Sequence, residues 1–233
     1  MSNGKEKMLS SAPLNPAQFE QKMWSLQAYL CGIDEVGRGC LAGPVVTSAV
    51  ILHPFKTHPL LKDSKILSEN NRLEAAKWIY QHSWHSFGII DAHLVDKHNI
   101  YKATQLAMKK ALYGLFSHPD APRPGLILID AMPLSLAGEL ESIKIASFTK
   151  GESKSISIAA ASILAKVKRD ELMKRMDGFF PGYDLSSNKG YGSKNHMLTL
   201  KTVQPSIIHR TTFLTKIKTG EKDGDKNRQI SLF

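Results

Sequence analysis

Four carboxylates and one arginine set between glycines are the residues of this sequence whose types and spacing could do chemistry. Asp34 and Glu35 are adjacent and are followed, after Val36, by Gly37-Arg38-Gly39, Asp130 closes the apolar run Leu126-Ile127-Leu128-Ile129, and Glu152 follows Lys150-Gly151. Carboxylates brought together cannot all ionise without compensation. Their usual partner is a hard divalent cation bound through oxygen, Mg2+ where substrate phosphates complete the shell. Two such ions about 3.5 to 4 Å apart activate water on one side of a phosphodiester and stabilise the leaving oxygen on the other. With a net charge of +10 and a pI near 9.5, the set points to phosphoryl chemistry on a polyanion.

The glycines let the backbone come close enough to offer polar groups to a sugar hydroxyl, and Arg38 can meet a phosphate. A plain turn would account for the glycines but not for the charge between them. Asp130 stands at the carboxyl end of a strand, where α/β sites form, although an Asp there would equally serve to cap a turn. The adjacent pair poses a geometric difficulty. Successive side chains of a strand point to opposite faces, so Asp34 and Glu35 share a site only where the strand bends or ends. Asp34 is therefore expected as the central ligand, with Glu35 contributing from an irregular strand end or through its backbone carbonyl.

The elements that must position these residues are legible from hydrophobic period and punctuation. Residues 15–28 have the apolar stripe of a short helix, through Phe19, Met23, Trp24 and Leu26. The runs 30–34 and 45–52 are rich in β-branched residues and read as an antiparallel pair. A loop with Lys62-Asp63-Ser64-Lys65 leads to a helix capped by Ser68, with Leu73, Ala76, Trp78 and Ile79 as its core face. Residues 83–90 form a third strand. The spacing of Ile100, Ala103, Leu106, Ala107, Ala111 and Leu115 predicts a helix from Asp96 or Asn99 to Phe116, its end loosened by Gly114.

The fourth strand, 126–130, is apolar throughout, as expected of one covered on both faces, and 143–148 is a fifth. An Ala-rich helix runs over 155–176, with a basic excess that a solvated face partly explains. Residues 177–192 form a loop presenting Tyr191, a ring that core packing would also explain, and 193–203 a further helix. A catalytic domain (15–176), a helical region (177–215) and a flexible tail (216–233) are the expected divisions.

At 42% hydrophobic residues the chain can bury a full core. It lacks both the apolar core of a secretory signal and the roughly 18 apolar residues of a membrane helix, so a cytoplasmic protein with no membrane partner is expected. Cys31 and Cys40 are too few for a disulfide framework. His93, His98 and His118 share no period, and no metal site is read from them.

Several motifs together resemble ribonuclease HII, in family order and over about residues 19 to 213: Gly32-Ile33-Asp34-Glu35-Val36-Gly37-Arg38-Gly39 with Leu41-Ala42-Gly43-Pro44, Asp63-Ser64-Lys65, Leu128-Ile129-Asp130, Lys150-Gly151, Ala160-Ala161-Ser162-Ile163-Leu164-Ala165-Lys166-Val167 with Arg169-Asp170, Lys189-Gly190-Tyr191, and His209-Arg210. The resemblance implies an α/β RNase H-like fold, a mixed five-stranded sheet flanked by helices with a small C-terminal helical region. It also implies hydrolysis of the RNA strand of RNA/DNA hybrids and cleavage 5′ of a ribonucleotide embedded in duplex DNA, leaving 3′-hydroxyl and 5′-phosphate ends. By position Asp34, Glu35, Asp130 and Glu152 would be the catalytic, metal-binding carboxylates for Mg2+ or Mn2+. Gly37, Arg38 and Gly39 would read the 2′-hydroxyl, Tyr191 would lie against the sugar at the RNA-to-DNA junction, and Lys65 and Lys189 would bind substrate.

There are departures. Glu152 stands where the family usually has Asp and is similar in this to ribonuclease HIII, Cys40 replaces a usual Pro, and Ala131-Met132 replaces a usual Gly-Asn, for which packing effects alone are expected. The last residues, Gln229-Ile230-Ser231-Leu232-Phe233, are similar to the peptide by which bacterial replication and repair proteins dock on the sliding clamp, so Gln229, Leu232 and Phe233 are candidate clamp contacts. The alternatives are HIII-like specificity for RNA tracts and a non-catalytic hybrid-binding module. A monomer is the simplest expectation.

Overall fold

A computed structural model describes residues 16–136 and 143–215. Five strands form one sheet: β1 (Leu30–Val36), β2 (Val45–Leu52), β3 (Ser83–Ile90), β4 (Leu126–Asp130) and β5 (Lys144–Phe148), in the spatial order β3-β2-β1-β4-β5. β1 pairs antiparallel with β2, and β2 with β3, while β4 runs parallel to both β1 and β5. The sheet is therefore mixed, as expected.

The helices are α1 (Gln18–Ser25), α2 (Glu69–Gln81), α3 (Ala92–Phe116), α4 (Ile156–Phe179), α5 (Leu185–Asn188) and α6 (Lys194–Thr202). Alternation along the central strands sorts the two faces. Cys31, Ile33, Ile127 and Ile129 pack against Met108, Ala111, Leu112 and Leu115 of α3. Leu30 and Leu128 face Ile158 of α4, and Val50 and Leu52 meet the α4 residues Ala160, Ala161 and Leu164 together with α2. Gly32 is what lets α4 lie so near: a Cβ there would overlap the backbone of Ser157 and Ile158. Among the described residues no helix is long and apolar enough to cross a membrane.

Several elements depart from expectation. α1 is shorter than 15–28, and Leu26, beyond its end, is exposed rather than part of the core. In α2 Ser68 caps Asn71 N–H as expected, but Ala75 takes the buried place assigned to Leu73, which is half exposed. α3 starts earlier, because Asp91 caps Leu94 N–H. The break falls at Asn99, whose φ of 63° interrupts the helix and whose Oδ1 caps Lys102 N–H to restart it. Gly114 lies inside the helix, against Ser86, and does not loosen it, and Leu106 is exposed. α4 runs one turn beyond Met176.

Candidate active site

β1 and β4 set the first two carboxylates side by side. Ile33 pairs with Ile129, so Asp34 and Asp130 follow at the next position of neighbouring parallel strands, both on the α4 face. The ladder of β1 continues through Val36, which pairs with Val46, so the strand neither bends nor ends between Asp34 and Glu35. The irregular strand end expected for Glu35 is absent, and Glu35 faces away from α4, where Arg38 Nη1 meets its Oε1 at 3.2 Å.

Charge still couples the three acids. Burial pushes Asp34 well above the usual carboxylate range, with the charges of Glu35 and Asp130 adding to it, and the Ser162 hydroxyl and Glu35 N–H opposing it. Burial likewise raises Glu35; Arg38 opposes this and Asp130 reinforces it. Asp34 Oδ1 accepts the Glu35 N–H at 2.7 Å, and Asp130 Oδ1 accepts the Gly151 N–H at 2.8 Å. That second bond ties the 3-10 turn Gly151–Ser153, which carries Glu152, to the end of β4.

The donor set consists of hard oxygens, and it is incompletely satisfied. Glu35 Oε2 and Glu152 Oε2 are buried with no hydrogen-bond partner among the described residues. Orphaned carboxylate oxygens beside two mutually repelling aspartates fit the electrostatics of a divalent cation. They do not form a closed cage: among the described residues no three His, Cys, Asp or Glu side chains are gathered closely enough to hold an ion. The carboxylates named from the sequence are linked by the Asp34–Asp130 strand pair and by the Gly151 bond, and among the described residues they do not form a compact cluster. The Arg38 contact holds Glu35 on the opposite face.

Beside the acids, three separated segments are knitted together. Leu41 and Ala42 N–H donate to the Gly190 carbonyl at 2.8 and 3.2 Å, Gly43 N–H to Ile208, and Arg210 N–H back to Leu41. Two wholly buried arginines complete the join. Arg169 Nε donates to Pro44 O at 2.9 Å, Nη1 to Lys189 O at 2.8 Å and Nη2 to Ala42 O at 3.1 Å. Arg210 donates to Gly43 O and Arg38 O. Both guanidinium groups are spent on backbone carbonyls, which fixes the course of the Gly37-Arg38-Gly39 loop.

Gly37 has a φ of +91°, which only glycine adopts readily, whereas Gly39 has open space around it, consistent with close approach by a ligand. The Tyr191 ring stays 43% exposed, which sets aside core packing as its explanation. The Arg169 guanidinium carbon lies 5.7 Å from its centroid. Lys65 is exposed, on a loop pinned by Arg72 to the Ser64 carbonyl and by the Ser64–Ser162 hydroxyl contact of 2.9 Å. Lys189 bends back to the Ser186 carbonyl. Gln229, Leu232 and Phe233 lie outside the described residues.

The family model for ribonuclease HII matches residues 31–216. The chain belongs to the ribonuclease HII family. A ribonuclease HII of Listeria monocytogenes is 48% identical over 186 residues, covering 79% of this chain and 67% of the relative. One from Listeria innocua is 43% identical over 212 residues, 90% of this chain and 77% of its own. Among solved structures, the ribonuclease H2 of Pyrococcus horikoshii superposes with a TM-score of 0.66 at 21% identity, over 82% of this chain and 97% of that one. The ribonuclease HII of Archaeoglobus fulgidus, solved in complex with PCNA, gives 0.60 at 24%, over 75% and 87%. A Bst ribonuclease HIII in complex with Mn2+ gives 0.56 at 20%, over 86% and 70%. The fold is RNase H-like, and the protein is a ribonuclease H, a nuclease of a metal-dependent family that acts on RNA/DNA hybrids.

Motif reading left Arg169 and Arg210 without a role, and passed over His196. A signal for Arg169 was available: it falls four residues after Ala165 and four before Met173, both buried, so a charge stands on the apolar face of α4.

Proposed function

We propose that this ribonuclease H hydrolyses the RNA strand of RNA/DNA hybrids and, in duplex DNA, cuts 5′ of an embedded ribonucleotide, leaving 3′-hydroxyl and 5′-phosphate ends by two-metal-ion hydrolysis. One observation carries the reading: the Asp34–Asp130 strand pair opens beside a Gly37-Arg38-Gly39 loop that is tied through the Gly190 carbonyl to Tyr191.

Asp34, Asp130 and Glu152 would hold the ions, Mg2+ or Mn2+, through their side chains, and Glu35, whose side chain is turned to Arg38, through its backbone carbonyl. When bound, the ions supply charge neutralisation at the scissile phosphate and activation of the attacking water. The protein's own groups bind and orient. Backbone polar groups of Gly37 and Gly39 meet the 2′-hydroxyl, the group that separates RNA from DNA, and Arg38 sits where a phosphate approaching Glu35 would be neutralised. The exposed part of the Tyr191 ring packs on the junction sugar. Lys65 and Lys189 contact the strand, with Lys65 on the pinned loop.

The expected division into residues 15–176, 177–215 and 216–233 belongs to this reading, as do a cytoplasmic location and a monomer. So does clamp docking through Gln229, Leu232 and Phe233, which the archaeal complex with PCNA suggests. Equal clamp affinity of the full chain and a chain ending at Asn227 would rule it out.

The deciding experiment incubates duplex DNA carrying one ribonucleotide with enzyme and Mg2+, and separately Mn2+, and maps the cut. A single incision 5′ of the ribonucleotide is expected. Cleavage confined to long RNA tracts would replace the junction reading with an HIII-like one.

A further inference from the structure

Behind Tyr191 lie two buried histidines from different segments. His196, in the first turn of α6, is 1% exposed and His209 is 3% exposed. His196 Nδ1 lies 2.8 Å from the Tyr191 carbonyl oxygen. A carbonyl only accepts, so this nitrogen carries the hydrogen. A neutral His196 then presents a lone pair at Nε2, and His209 Nε2, 3.1 Å away, must donate to it. His209 Nδ1 is left as the acceptor, and the Ser206 N–H donates to it at 3.1 Å, with Ser206 Oγ at 3.0 Å.

Donation thus runs in one direction, from Ser206 to His209, to His196, to Tyr191, and every ring nitrogen is satisfied. A proton added to His196 Nε2 would set two N–H groups head to head, and one added to His209 Nδ1 would face the Ser206 N–H, with the Ser206 carbonyl at 3.3 Å left to receive it. Burial and the neighbouring His196 bring His209 down to about 4, in keeping with a neutral His209. The rings are clamped as well. The Tyr183 ring packs 4.6 Å from His209, with its hydroxyl donating to the Gln204 carbonyl, and the His209 backbone bridges to Ala42 of the loop that follows Gly37-Arg38-Gly39.

We propose that His196 and His209 are positioning residues for Tyr191: the relay fixes the peptide from which the ring projects and so sets its fit to the sugar at the RNA-to-DNA junction. The proposal rests on the reading of Tyr191 as a substrate contact. It gives the chain a specificity element that touches no substrate atom and acts through one that does.

A double-mutant cycle on full-length enzyme tests it, with kcat/KM measured on duplex DNA containing one ribonucleotide. With one buried hydrogen bond left open, His209→Ala is expected to lower kcat/KM roughly tenfold. His209→Gln, which offers both an N–H and an acceptor oxygen, should recover most of the loss. In a Tyr191→Ala background His209→Ala should cost less than about twofold, while Lys65→Ala should cost the same factor in both backgrounds. A full tenfold loss in the Tyr191→Ala background overturns the relay. Unchanged kcat/KM for Tyr191→Ala alone instead overturns the role given to Tyr191. If His209→Ala fails to fold, the cycle is run with His196→Asn, whose amide keeps the bond to the Tyr191 carbonyl but offers His209 no ring nitrogen, and the same two outcomes apply.

Discussion

The Arg169 guanidinium stem fills the space into which a side chain on Gly37 would have to project. A Cβ on Gly37 would overlap Arg169 Nε and Cδ, and would lie 2.8 Å from the Pro44 carbonyl that the same Nε binds. The Gly37-Arg38-Gly39 loop and the middle of α4 are thereby made one unit.

Gly37→Ala is expected to abolish most cleavage, since it must leave a φ of +91° and displace a buried guanidinium. Arg169→Ala should cost about 3 kcal/mol or more, because three carbonyls lose their donor at once. Thermal unfolding beside a hybrid-cleavage assay checks both. A Gly37→Ala enzyme of full activity would detach this loop from catalysis.

Asp34 is buried beside two other acids. Asp34→Asn should remove turnover, leave hybrid binding largely intact, and raise the melting temperature of the metal-free protein, because a buried repulsive charge is lost while the Glu35 N–H and Ser162 contacts are kept. Fluorescence anisotropy with a labelled hybrid and a thermal scan without metal provide the readings. Retained turnover would take Asp34 out of the central role.

Glu20 of α1 is buried and holds the start of α4, accepting from Ser155 Oγ at 2.5 Å and from Ser157 N–H at 3.0 Å. Burial raises its pKa in spite of these bonds. With the folded-state value above the unfolded one, the stability this group contributes is full below the ordinary Glu range and is lost as pH rises through the folded value. The melting temperature of Glu20→Gln relative to the parent should therefore climb from pH 4 to pH 7. A difference constant over that range would contradict the argument. Glu20→Ala should cost about 1 to 3 kcal/mol by leaving the helix start without its acceptor.

Ala131 has a φ of +55°, a left-handed conformation, directly after Asp130. Packing effects alone were expected here, and Met132 does enter the core beside Ile129. The Ala131 backbone adds strain, so Ala131→Gly should stabilise the protein by roughly 0.5 to 1 kcal/mol. Chemical denaturation measures it, and a destabilised variant would show that the Ala131 methyl contributes more than the backbone costs.

The sequence by itself determined the five strands in order, the cap at Ser68, the place of Asp130 at a strand end, and the motifs that name the family. These are local: period two, a hydroxyl three residues before an N–H, and a run of apolar residues ending in a charge are all properties of neighbours in the chain. Only the tertiary structure decided which partners lie across space. It kept β1 regular through Glu35 and turned that side chain to Arg38, and it buried Arg169 and Arg210 by giving them carbonyls from distant loops. It joined His196 to His209, and it left Leu26, Leu73 and Leu106 in solvent. Local pattern tells a residue which way it faces. Whether a charge there can be buried, and how near four carboxylates come, depends on the order of strands and on groups that the chain brings in from far away.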